Sequence, residues 1–247
     1  MAARPRPLRW RLIALLVVGA ALLALLLIRL AQPSPNPIDL LPYHELRIGV
    51  DPSRPPFAAF DSDGSVFGME IDLGRELGAR LGVPVRFVPL GYDGLYDALK
   101  ADQVDALIAG LTIDLTRLEN VHYSQPYFNA GLVLVSDQGL VRMEDMPGHS
   151  LGYEFGSEAD TEARTWLRRV LSFETRPYEL QRDALDAARL GEADAALVDA
   201  VSARLDLRDH PEWGASVNVV TDNLYAIAPQ SRRPAISDAV NDALKAL

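Results

Sequence analysis

ALKADQVDALIAG, residues 98–110, and AARLGEADAALVDA, residues 187–200, run through the same order of features. Each begins at the end of a helical stretch, passes a turn, sets aspartate before alanine and continues as an apolar strand. The echo predicts two similar α/β lobes with both strand exits in one interlobe crevice, because open α/β sheets bind ligands beyond the carboxyl ends of their strands. The same residues also fit the common grammar of α/β units, or a single doubly wound domain, and those alternatives stay open here.

Outward from the first copy, the pattern is consistent. ELRIGVD (45–51) has the alternation and β-branching of a strand, PSRPPF (52–57) ends it as a loop, and SDG (62–64) is a turn. Glu70 to Leu81 predicts a helix with an apolar stripe at Ile71, Leu73, Leu77 and Leu81 and a C-cap at Gly82. A strand over 83–90, a short helix over 91–101 and the strand VDALIA (104–109) complete one α/β unit, and GLVLVS (131–136) leaves it. The second copy follows a strand, Gly-Ser turn and helix within 150–171, and a turn at Thr175 leading to a helix that ends near Leu190. NLYAIAP (223–229) is the last expected strand, and a helix runs from about Pro234 to Leu247.

Residues 1–30 behave differently. They hold Arg4, Arg6, Arg9, Arg11 and Arg29 and no acid, and Leu12 to Ile28 is uncharged. A basic leader before an apolar run predicts membrane targeting with the arginines inside. The exit, Ile28-Arg29-Leu30-Ala31-Gln32, lacks the A-x-A pattern of a cleavage site, so an uncleaved anchor is expected in preference to a removed signal. QPSPNPIDLLP (32–42) then predicts a proline-rich spacer, with the body outside the cytoplasmic membrane.

Of the 24 basic side chains, the five in the leader leave 19 against 34 acids, a charge of −15 on the remainder. So acidic a body argues against nucleic-acid binding. The absence of cysteine excludes disulfides, thiolate metal sites and cysteine nucleophiles. Four scattered histidines have no metal-ligand spacing, and no GxxxxGK[ST] phosphate loop is present, so neither metal nor cofactor is expected.

AGLTIDLTR (109–117) sets a glycine, a hydroxyl, a carboxylate and an arginine at a strand exit, a combination able to hold a small carboxylate ligand. IGVDPSRPPF, followed by FGMEIDLGRELGARLGVPVRFVPLGYDGLYDALKADQVDALIAGLTIDLTRLENVHYSQPYFNAGLVLV, resembles bacterial extracellular solute-binding proteins of family 3, the polar amino-acid type. The likeness covers about residues 46–247. It implies an α/β, two-lobed, periplasmic-binding-protein-like (type II) fold behind the N-terminal transmembrane or signal helix. The implied layout is 1–31 leader and anchor, 32–43 linker, 44–134 plus 222–247 lobe one, and 135–221 lobe two.

By resemblance, Arg117 holds the ligand's α-carboxylate, with Gly110 and Thr112 supplying backbone amides and a hydroxyl. Asp199 on the other lobe receives the α-ammonium, Gly156 and Ser157 offer free N–H groups at a helix start, and Tyr92 covers the ligand side chain. Asp51 is a secondary candidate for ligand or hinge contacts. Local duties compete with each role: Arg117 could pair with Asp114 or Glu119, Asp199 and Ser157 could be helix caps, and Tyr92 a core aromatic.

Three departures from the family pattern matter. Arg54 stands where relatives often present an aromatic, and a second guanidinium would attract an acidic side chain. Glu70 replaces the more usual aspartate. The chain stops at NDALKAL where relatives usually continue, so lobe one is expected to lack part of its cover or borrow it from a partner, with weaker stability or an exposed apolar patch as the consequence. The implied function is that of a monomeric, non-enzymatic receptor delivering an amino acid or related carboxylate to an ABC permease. The alternatives are a tethered sensing or partner-binding module, and a cyclohexadienyl-type dehydratase whose acids would come from Glu70, Asp51, Asp199 and Glu158.

Overall fold

The computed structural model describes residues 15–24, 39 and 41–247. Lobe one opens with β1 (Leu46–Val50) and the short strands β2 (Ser53–Arg54), β3 (Ala58–Phe60) and β4 (Val66–Phe67). Helix α1 (Met69–Leu81) and β5 (Val85–Pro89) follow. A 3-10 turn at Tyr92–Gly94 runs into α2 (Leu95–Lys100), then β6 (Ala106–Leu107), and β7 (Pro126–Asn129) leads away. Lobe two contains β8 (Leu132–Ser136), β9 (Ser150–Glu154), α3 (Glu158–Trp166), β10 (Glu174–Tyr178), α4 (Gln181–Arg189), β11 (Ala195–Asp199), α5 (Ala200–Asp209) and β12 (Ser216–Val219). The chain returns through β13 (Leu224–Ala226) and β14 (Ala228–Pro229) to α6 (Pro234–Lys245).

Each lobe has its own sheet. The first is ordered β14-β6-β1-β5, the second β10-β9-β11-β8-β12. Strand β1 is parallel to β5 and β6, and β9 is parallel to β10 and β11. The inner strands bury their apolar side chains under the helices that cover the sheets: Ile48, Val50 and Ile108 pack with Ile71, Leu77 and Val240 in one core, and Leu134, Leu151 and Leu197 with Ala163 in another. Full burial of each such leucine or isoleucine contributes about 1.5–3 kcal/mol. Helix α1 ends where expected: Gly82 adopts the left-handed conformation and its N–H meets the last carbonyls.

Between the lobes run β7 and β13, paired antiparallel, with Asn129 opposite Leu224. There the backbone is crowded. A Cβ on Gly131 would lie 1.9 Å from the Thr221 carbonyl oxygen, so only glycine fits. A buried ion cluster ties lobe one together at the opposite end of its strands. Asp105 accepts from the Arg47 backbone N–H at 2.9 Å, from Arg47 Nε at 3.0 Å and Nη2 at 2.8 Å, and also from Arg233 just before α6.

Several sequence expectations need correction. ETRPY (174–178) is strand β10 at a sheet edge, where Pro177 is tolerated, rather than a turn. NLYAIAP is not one strand: β13 pairs with β7, and β14 turns to pair with β6. The expected loop 52–57 contains β2, paired with β3. The boundary expected after residue 134 cuts β8, which belongs wholly to the second sheet, so the crossing precedes Leu132.

Residues 15–24 are helical with exposed side chains. The basic leader, both ends of the apolar run and most of the proline-rich spacer lie outside the described residues. Among the described residues, no helix is long and apolar enough to cross a membrane. An apolar cavity of about 290 Å³, lined by Met69, Leu73, Tyr127, Leu244 and Leu247 among others, opens beside the end of α6.

Candidate functional site

The exit of β6 is built by its hydrogen bonds. Gly110 has φ 57, the left-handed conformation that turns the chain at the strand end. Its N–H donates to Glu70 Oε1 at 2.6 Å and to the Tyr127 hydroxyl at 3.2 Å, and Tyr127 in turn donates to Glu70 Oε1 at 2.5 Å. Burial raises the Glu70 carboxyl above its usual range, against the opposing pull of those donors and of Arg54. The Gly110 amide is therefore engaged within the protein, which corrects its expected role as a ligand donor.

Thr112 pairs with Tyr225 through an isolated antiparallel bridge, so the exit is sewn to the connection between lobes. Beyond it, Asp114 caps the 3-10 turn at Leu115–Arg117, its Oδ1 accepting from Thr116 N at 2.9 Å and Oγ1 at 2.6 Å. Asp114 Oδ2 also accepts from Arg117 Nε at 3.1 Å. The Arg117 guanidinium lies 4.0 Å from the centroid of the Tyr96 ring. The ring contact and the Nε bond hold the guanidinium at the cavity, while its Nη groups have no protein partner among the described residues. That edge is the one a carboxylate takes through two parallel bonds.

Arg117 lines a cavity of about 370 Å³ with Tyr92, Asp93, Tyr96, Asp97, Thr112 and Asp114. Tyr92 is 48% exposed, which removes the core-aromatic alternative and leaves its ring facing solvent and cavity. Desolvation and the Tyr123 hydroxyl, 2.9 Å away, push the Tyr96 phenol upward, so it remains protonated at neutral pH.

Asp199 ends β11 on the other lobe and caps α5. Its Oδ1 accepts from Val201 N and Ser202 N, both at 2.8 Å, and Oδ2 from Ser202 Oγ at 2.9 Å. It stands opposite Leu132, at the start of β8 and just past the interlobe connection. Thr112 and Asp199, on different lobes, are thus both anchored beside the β7–β13 crossing. Ser157 caps α3, its Oγ donating to Glu154 O at 2.7 Å and accepting from Asp160 N at 3.3 Å. The Gly156 N–H donates to Asp160 Oδ2 at 2.9 Å, so this amide too is engaged rather than free.

Asp51 is buried and turned inward, its Oδ1 accepting from Ser53 N at 3.1 Å and Oγ at 2.8 Å. Arg54 is no loose surface arginine. Its Nη1 donates to Ala109 O and Gly110 O, each at 3.3 Å, and its Nη2 to the Tyr225 hydroxyl at 3.1 Å. Sequence reasoning missed that Glu70 and Tyr127 support the exit. The signal was available: Glu70 lies on the buried face of α1 with Gly74 and Leu77, an acid where a core residue belongs. A larger cavity of about 490 Å³, lined by His149, Ser150, Arg176 and Asp194 among others, lies at the amino ends of the lobe-two strands, away from these exits.

The model for bacterial extracellular solute-binding proteins, family 3, matches residues 46–247. The chain is 28% identical over 206 residues to the L-cystine-binding protein TcyJ of Escherichia coli (strain K12), covering 81% of this chain and 76% of that one. It is 25% identical over 209 residues to ABC transporter arginine-binding protein 1 of the same strain, covering 82% and 85%. The solved structure of an ancestral cyclohexadienyl dehydratase is also similar, with TM-score 0.68 and 25% identity over 82% of this chain and 86% of that one.

Proposed function

We propose that this chain, which belongs to the bacterial extracellular solute-binding proteins, family 3, binds a small amino-acid-like solute between its lobes and presents it to an ABC-type importer. One observation carries the residue-level reading: the Arg117 guanidinium lies over the Tyr96 ring, 4.0 Å from its centroid, in a cavity at a strand exit, with its Nη groups unbonded among the described residues. A carboxylate fits those groups in geometry and charge. Thr112 lines the same cavity and adds a hydroxyl.

Asp199 supplies the opposite charge from lobe two. Two of its bonds come from backbone N–H groups, so the carboxylate is oriented before a ligand arrives, and it keeps acceptor capacity for an ammonium. Ser157 and the start of α3 contribute from the same lobe. A zwitterion bridging Arg117 and Asp199 would interact with both lobes only when they approach. That differential affinity is what shifts an open–closed equilibrium, and a permease can distinguish the closed form. The body acts outside the cytoplasmic membrane, tethered by the apolar N-terminal run.

Thermal-shift screening of the full chain against amino acids and dicarboxylates tests this. A ligand at a hundred times its Kd stabilises by about 2.7 kcal/mol, and Arg117→Ala should abolish the rise in Tm. A rise of equal size in both proteins, or no rise with any solute, would overturn the reading. The likeness to the dehydratase structure favours a second reading, in which the cleft eliminates water from a cyclohexadienyl acid. Carbon dioxide release from prephenate or arogenate tests it.

A further inference from the structure

A second guanidinium, that of Arg54, lies across the exit of β6. Every polar partner of Arg54 is neutral: two backbone carbonyls and the Tyr225 hydroxyl. The rings of Tyr225 and Tyr92 stand 5.5 and 5.9 Å from its Cζ. Glu70 and Asp51, the neighbouring acids, spend their hydrogen bonds on Gly110, Tyr127 and Ser53. Among the described residues no carboxylate forms a direct ion pair with Arg54, although Glu70 lies near enough to feel its charge, so a half-buried guanidinium at the exit is balanced only at a distance. Such a charge is costly unless an anion completes it.

The seat of this guanidinium is built into the backbone. A Cβ on Gly110 would come within 2.6 Å of Arg54 Nη1, so glycine is what lets the side chain lie across the exit. Since the Gly110 N–H points to Glu70, the exit offers a guanidinium on this edge where it could have offered an amide. Tyr92 joins the two arginines: it stands by Arg54 and lines the same cavity as Arg117. Asp93 and Asp97 are exposed on that cavity, and Asp114 is held by its own turn and by Arg117.

We infer that the ligand carries two carboxylates, as an acidic amino acid or a related dicarboxylate does, with Arg117 holding one and Arg54 the other. This rests on the binding reading above and adds the charge of the cargo. It is a different charge from those of the cystine and arginine in the relatives' names.

Calorimetry on the full chain with L-glutamate, L-aspartate, L-glutamine and L-arginine tests it. Glutamate or aspartate should bind about 10- to 100-fold more tightly than glutamine or arginine, the value of one charge-assisted bidentate contact. Arg54→Gln should remove that preference, bringing the glutamate-to-glutamine affinity ratio to about one. Should Arg54→Gln fail to fold, the glutamate-to-glutamine ratio of the parent still decides. A parent that binds glutamine or arginine at least as tightly as the acids, with the binding lost in Arg117→Ala, overturns this inference alone. Binding of none of the four overturns this inference, and only the further absence of a Tm rise with any solute of the wider screen overturns the reading beneath it.

Discussion

Asp105→Asn probes the scaffold behind the grip. The Asp105 side chain is fully buried and Arg47 nearly so, at 0% and 4% exposure. The carboxylate receives three bonds from Arg47, one of them from its backbone N–H, and a fourth from Arg233. Asparagine keeps the shape and one acceptor, but it removes the charge and turns an N–H₂ group towards the Arg47 donors. Arg47 is then a buried cation missing most of its compensation, a loss of about 3–5 kcal/mol. For a chain of this size, each kcal/mol is worth about 2–4 °C, so the midpoint should fall by about 6–20 °C in thermal unfolding followed by circular dichroism. Asp102 provides the control: it pairs with Arg233 at 2.7 Å but is 47% exposed. Its asparagine variant should lose no more than about 1 kcal/mol. An Asp105→Asn midpoint within about 2 °C of the parent, or equal effects of the two substitutions, would refute the argument that burial makes this cluster matter.

Two further outcomes follow from the site. Asp199→Ser keeps a good capping side chain for α5 while removing the charge, so stability should hold within about 1 kcal/mol. Affinity for an amino acid should fall at least tenfold, and an unchanged calorimetric Kd would reduce Asp199 to its capping duty. For Glu70, burial raises the folded carboxyl above its unfolded value, so its contribution to stability is fully present below the ordinary glutamate range and is lost as pH rises through the folded one. Glu70→Gln keeps an acceptor for Gly110 and Tyr127 and removes the titration. The Tm of the variant relative to the parent should therefore increase between pH 4 and 7, and a constant difference would contradict the assigned direction.

Much of the fold was legible in the sequence because its central strands are largely apolar and its helices carry clear periodicity. β1, β8 and β11 and the helices α1 and α6 lie close to where pattern alone put them. What was illegible is short and held by distant partners. β10 contains a proline and charged residues, and it is a strand because β9 offers an open edge. The split of NLYAIAP between two sheets depends on a turn in space that no local periodicity records. At the site, the family resemblance nominated Arg117 and Asp199, whose local bonds with Asp114 and Ser202 belong to duties foreseen as competing with that role. It could not reveal that the Gly110 and Gly156 amides are spent inside the protein, because hydrogen-bond direction follows from three-dimensional placement.

The pairing of β7 with β13 has a consequence beyond motion. Because Asn129 lies opposite Leu224, the two ends of lobe two emerge side by side. Lobe two is thus topologically an insertion into lobe one, and it can be exchanged as a cassette or opened by circular permutation without stretching any connection. Variation confined to the insertion can therefore remodel the lobe that carries Asp199 while the lobe that carries Arg117 stays as it is.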